Sequence, residues 1–217
     1  LALTALALGF GVLIAGTSLA KDQSVKTPPG VMRVAILPIM NGSQDLGAPK
    51  IMGDILRDQL KIVPADRAAF LLPFDSERIL SERGQLVLGD RLTTKWGKYG
   101  TLDSTAVAAI DSIFTLDAIL FVKVTEWENH RVTVIGAGDS NTTVGLSFAC
   151  YDVKTLKKIW FKEPREQRFG QEIDASSGAV NYDATGFIQN KRATDPPRYE
   201  DVAADLVRDA FKKFPAK

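Results

Sequence analysis

A single cysteine, Cys150, and a single histidine, His130, are all that the 217 residues contain of two side chains much used in metal and nucleophilic sites. One cysteine excludes an intramolecular disulfide, so an exported form of this chain must rely on its core. Cys150 lies in Leu146-Ser147-Phe148-Ala149-Cys150-Tyr151, where alternation places it with Leu146 and Phe148 on one strand face. A small buried residue is the reading that pattern favours. A catalytic thiol needs a base. His130 stands twenty residues upstream in a polar, turn-like stretch, and nothing else in the pattern joins the two.

The HExxH, CxxC, GxSxG and GxxxxGK[ST] patterns are missing as well, which removes the easily recognised zinc, redox, hydrolase and P-loop chemistries. Gly136-Ala137-Gly138-Asp139-Ser140-Asn141 begins like a dinucleotide loop but lacks the third glycine and falls between expected strands. Glu126 and Glu128 share a strand face as a carboxylate pair would, yet no cleft is defined around them, and a solvated strand end fits as well. We therefore expect no catalytic residue, no metal site and no cofactor. Charge of one sign is also scarce: 27 basic and 26 acidic side chains leave a net charge of +1. No block of five or six like charges occurs, which argues against nucleic acid as a partner.

The first twenty residues, LALTALALGFGVLIAGTSLA, carry no charge at all. That length suffices to cross a bilayer as a helix. Ser18-Leu19-Ala20 also suits signal-peptidase cleavage, and cleavage after Ala20 is the preferred reading. Ile14-Ala15-Gly16 would precede the lipidated cysteine of a lipoprotein, but Thr17 follows. Cleaved signal, retained anchor and altered lipoprotein signal all stay open. Residues 21–30 (KDQSVKTPPG) form a polar linker closed by Pro28-Pro29-Gly30.

The domain is expected over 31–217. Val31 to Met40 is a nearly continuous apolar run, read as a first, central strand covered on both faces. Ile51, Met52, Ile55, Leu56 and Leu60 then recur at helical spacing after Pro49. Phe70 to Phe74 reads as a short strand ended by Pro73, and Asp75 opens a short helix to Glu82. Residues 84–100 are rich in glycine and charge and read as a long loop, with Trp96 and Tyr99 packed back or held out for a partner.

Asp103-Ser104-Thr105 offers an N-cap to a helix carrying Val107, Ile110, Ile113 and Phe114. Ile119 to Trp127 passes from continuous apolar to alternating, as a buried strand leaving the core does. Val132 to Ala137 and Thr142 to Val153 flank a turn-prone tetrad and suggest a hairpin. Ile159-Trp160-Phe161 adds an antiparallel strand, so the sheet is mixed. Residues 170–198 read as a second long loop, and Tyr199 to Phe214 as a terminal amphipathic helix. The fold class is thus α/β (α+β): three layers, with a mixed sheet packed by about three helices. Trp127, Trp160 and Phe161 suit the core first. Exposed, they would serve with Trp96 and Tyr99 as partner contacts.

Three blocks in this order carry a resemblance. Val34-Ala35-Ile36-Leu37-Pro38-Ile39-Met40-Asn41 resembles the opening strand of bacterial envelope proteins related to the curli assembly lipoprotein CsgG and the TolB amino-terminal domain. Asp117 to Trp127 is similar to a later strand of theirs. Tyr151 to Trp160 is similar to a hairpin in which Leu156 stands where the family has glycine. The resemblance spans roughly 31–165. It implies a periplasm-facing α/β domain that binds other envelope proteins or itself and does not catalyse a reaction, with the membrane contacted through residues 1–20 where these are uncleaved. A small-ligand or hydrolytic domain, its pocket shaped by the 84–100 and 170–198 loops, is the alternative.

Overall fold

The computed structural model describes residues 30–131, 139–170 and 195–215. The hydrophobic segment 1–20, the linker to residue 29, the expected strand Val132 to Ala137 and most of the 170–198 loop lie outside them. A mixed sheet runs in the order β3-β1-β4-β5-β6, with β2 beside β4 and β7 beside β5. The strands are β1 (Met32–Ile36), β2 (Met40–Asn41), β3 (Ala68–Leu71), β4 (Ala118–His130), β5 (Asn141–Asp152), β6 (Lys158–Lys162) and β7 (Arg165–Phe169). β1, β2, β3 and β4 are mutually parallel, whereas β5 is antiparallel to β4, β6 and β7. The first strand is therefore interior, and the middle of the sheet belongs to β4.

Helices cover both faces, which makes three layers. α1 (Ala48–Gln59) and α5 (Tyr199–Phe211) bury Met52, Leu56, Val207 and Phe211 against Val34, Leu120, Leu146, Phe148 and Cys150. α2 (Pro73–Glu82), α3 (Leu86–Tyr99) and α4 (Ser104–Phe114) bury Leu80, Leu92, Trp96 and Ile110 against Ala35, Ile119, Phe121, Ala149 and Tyr151. Alternate residues of each strand thus feed opposite cores, as the period of two requires.

Among the described residues five α-helices form where about three are expected, and the largest departure is α3, a helix where the glycine content suggests a loop. Its buried residues, Gly89, Leu92, Thr93 and Trp96, lie at helical spacing. The glycines inside it serve close approach. A Cβ on Gly97 would lie 1.9 Å from Met40 Cε, and one on Gly89 would lie 3.1 Å from Leu80 Cδ1. Gly100, at φ 65°, ends the helix in the left-handed region.

Pro73 does end the short strand, but by opening α2 as its first residue. Asp103 caps α4 as its position suggests, accepting hydrogen bonds from the backbone of Thr105 (3.1 Å) and Ala106 (3.2 Å). β7 has no apolar alternation to announce it. It is an edge strand, tied by Arg165 to Glu126 on β4 and by Arg168 to Asp205 on α5. At the β5–β6 turn Leu156 takes φ 58°, the conformation that glycine would adopt freely. Asp152 closes that turn by accepting from the Thr155 amide (2.6 Å) and hydroxyl (2.8 Å).

One irregularity sets the face of Trp127. Val124 pairs with Leu146 and Glu126 with Gly145, so Thr125 is an extra residue in β4. With strict alternation from Val124, Trp127 would point to the opposite face, that of Ile119 and Phe121. With it, Trp127 returns to the face of Leu120, Val122 and Val124 and joins the α1/α5 core.

Candidate interaction surface

The carboxyl ends of β1, β2 and β3 define an upper end of the molecule. α1 and α2 begin there, and α3 returns to it. Large apolar side chains emerge at this end: Leu46 is 92% exposed, Phe74 75% and Tyr99 67%, and Phe169, opposite Asn141 where β4 ends, is 53% exposed. Each stands on backbone that is held in place. Leu46 follows a turn in which Asn41 Oδ1 accepts from the Ser43 amide (3.0 Å), Asn41 Nδ2 donates to the Asp45 carbonyl (2.8 Å), and Asp45 Oδ1 accepts from the Gly47 amide (2.7 Å). Gly42 donates to the Val124 carbonyl at 2.7 Å, which pins the same turn to β4. Phe74 occupies the first turn of α2, beside buried Pro73 and Ser76. The Ser76 hydroxyl donates within hydrogen-bond distance of the Ile36 carbonyl at 2.7 Å, fixing that turn to β1. Tyr99 closes α3 two residues after Gly97, with Lys98 Nζ 5.6 Å from its ring centre.

Apolar side chains that fold away from water gain about 1.5–3 kcal/mol each. Loops and helix ends that hold them out leave that free energy for an association. In the sequence, Leu46 and Phe74 belong to no periodic stripe. Leu46 is a lone apolar residue in Asn41-Gly42-Ser43-Gln44-Asp45-Leu46-Gly47, whereas Phe74 closes the apolar run from Phe70 and carries no comparable signal.

Of the four residues expected as partner contacts, only Tyr99 is exposed. Trp96 stacks on Phe121 with ring centres 5.0 Å apart. Trp160 packs among Phe148, Phe211 and Phe214. Trp127 stacks on Tyr199 at 5.1 Å. Phe161, expected in the core, is half exposed under Lys158, whose Nζ lies 4.3 Å from the ring centre. Tyr199 has its pKa raised by burial, to which the carboxylates of Asp45 and Glu128 add.

The candidate chemistry is dispersed. Cys150 pairs with Leu120 and His130 with Asn141, ten residues apart along β4, hence about 33 Å. Burial pushes the Cys150 thiol up to about 12, the opposite of a nucleophile's requirement. Glu126 and Glu128 do share a face, and Glu126 is engaged by Arg165 Nε at 2.9 and 3.0 Å. Among the described residues no group of three His, Cys, Asp or Glu side chains is placed to hold a metal ion.

No family model and no curated protein matches the chain. Solved structures do. The PelC dodecamer from Paraburkholderia phytofirmans shares 14% identity over 88% of this chain and 92% of its own, with a TM-score of 0.45. Lipoprotein GNA1162 from Neisseria meningitidis shares 18% over 63% of this chain and 81% of its own, at 0.41. The LpoB C-terminal domain from Salmonella enterica shares 12% over 64% and 84%, at 0.40. Likeness at this level says nothing of this chain's partners or activity.

Proposed function

We propose that this chain is an exported, periplasm-facing cell-envelope protein that works without catalysis, as an adaptor or assembly accessory. It binds other envelope proteins, or a second copy of itself, through its upper end. The observation that carries this reading is the trio Leu46, Phe74 and Tyr99, held in water by hydrogen-bonded turns and helix ends at one end of the sheet. Export is supported by the uncharged segment 1–20. The blocks that resemble CsgG and TolB amino-terminal domains fall on β1–β2, on β4 and on the β5–β6 hairpin, all within one sheet, which supports a relation to that superfamily.

The triple variant Leu46→Ser/Phe74→Ser/Tyr99→Ser tests the reading. These side chains lie on the surface, so each change shifts folding stability by no more than about 0.5 kcal/mol. Capture of envelope proteins by the full chain, and its own self-association in sedimentation, are both expected to fall together in the variant. Undiminished capture and self-association would remove the upper end from the account.

A further inference from the structure

The opposite end of the molecule differs in character. The amino ends of β1, β3 and β4 lie there, together with the β5–β6 turn and the carboxyl end of α5. Backbone hydrogen bonds stitch it together: Asp117 N to Arg33 O at 2.9 Å and Val153 N to Asp117 O at 3.0 Å. Residue 30 precedes β1 at this end, and β4 stands between β1 and β5.

Four lysines here, Lys154, Lys157, Lys158 and Lys213, are exposed and have no ion pair among the described residues. Lys61 and Lys212 are paired with Asp58 and Asp209 on their own helical turns. The acids do not balance the lysines. Asp152 accepts hydrogen bonds within the turn, and those from Thr155, with the nearby Lys154 charge adding, hold its carboxyl below the usual range. Asp58, Asp66 and Asp209 are exposed acids of this end, two of them held by Lys61 and Lys212. Ile159 and Ile62, next in the chain to Lys158 and Lys61, are each about two-fifths exposed. Positive charge with intervening apolar side chains is the pattern that settles at an anionic lipid headgroup layer.

We propose that this lower end is a docking surface for an anionic phospholipid bilayer, gathered around the β5–β6 turn. The occupant follows from the linker. Residues 21–30 span at most about 35 Å when extended, so a segment 1–20 inserted in a bilayer holds this end within reach of the headgroups. The other end, with Leu46, Phe74 and Tyr99, then points away from the membrane. The inference rests on reading residues 1–20 as membrane-seeking, and it does not depend on the upper end binding protein.

The test is partitioning of the full chain onto phosphatidylcholine vesicles, with and without phosphatidylglycerol as about a third of the lipid. Binding to the neutral vesicles reads the hydrophobic segment; the increment on anionic vesicles reads the lysines. Each lysine near such a surface contributes about fivefold, so Lys154→Gln/Lys157→Gln/Lys158→Gln lowers the anionic increment on the order of 100-fold. The control Lys50→Gln/Lys98→Gln, at the upper end, leaves it intact. All five lysines are exposed, and an unchanged circular dichroism spectrum confirms folding. An anionic increment that is absent, or equal in the triple variant and wild type, overturns the proposal; loss of binding to neutral vesicles alone would indict the reading of segment 1–20.

Discussion

The bulge at Thr125 leaves no room for a side chain at Gly145 of the long β4–β5 hairpin, and Gly145→Ala measures that constraint. A Cβ there would lie 2.6 Å from Thr125 Oγ1, 3.2 Å from Glu126 Cβ and 3.3 Å from Glu126 N. The first contact is to an exposed hydroxyl that can rotate; the third is to backbone and yields only if the bulge opens. We expect a cost of about 2 kcal/mol, within the range of overpacked sites. For a chain of this size that is a fall in Tm of about 4–8 °C. Thr125→Ala removes the closest contact, so the double variant should recover about 1 kcal/mol relative to the sum of the single changes. Urea denaturation of the four proteins followed by circular dichroism supplies the cycle. A neutral Gly145→Ala, or a strictly additive cycle, would refute the role assigned to the bulge.

Three further outcomes follow from the packing and the turns. Phe211 contacts the rings of Phe70, Phe148, Trp160 and Phe214, so it joins β3 at one edge of the sheet to β6 at the other; Phe211→Ala should cost about 3–5 kcal/mol by denaturant titration. At φ 58°, Leu156→Gly should be more stable than Leu156→Ala by about 1 kcal/mol, despite its smaller side chain; the reverse order would contradict the left-handed turn. The Ala106 backbone amide, aided by Arg91 and Lys95, holds the Asp103 carboxyl below its ordinary 3.8. The stability it contributes is present above that value and is lost as pH falls through the lowered folded one. Asp103→Asn should therefore be less stable than wild type at neutral pH, with the gap closing in acid, as thermal melts across the acid range would record.

Elements with strong periodicity were legible in the sequence. Val34 to Ile36, the stripe of α1, the Asp103 cap and the alternation through Cys150 each state a burial pattern that the packing repeats. α3 was not legible, because Gly89 and Gly97 suggest flexibility in sequence while their actual use, contact with Leu80 and Met40, is visible only in three dimensions. β7 was hidden for a different reason: Arg165 and Arg168 hold it by ion pairs, so its residues show no apolar rhythm. The surface was half legible. Tyr99 is exposed, whereas Trp96 is core, as are Trp127 and Trp160, for which the core is the first expectation. Leu46 and Phe74 were missed because exposure depends on what surrounds a residue, and no periodic pattern encodes that.

The most direct test of the upper end as the partner surface is site-specific photo-crosslinking of the full chain in intact envelopes. A photoreactive residue replaces Leu46, Phe74 or, at the opposite end, Lys61. Discrete protein adducts from positions 46 and 74, with none from position 61, are the predicted result. Adducts from position 61 alone, or from none of the three, would contradict it.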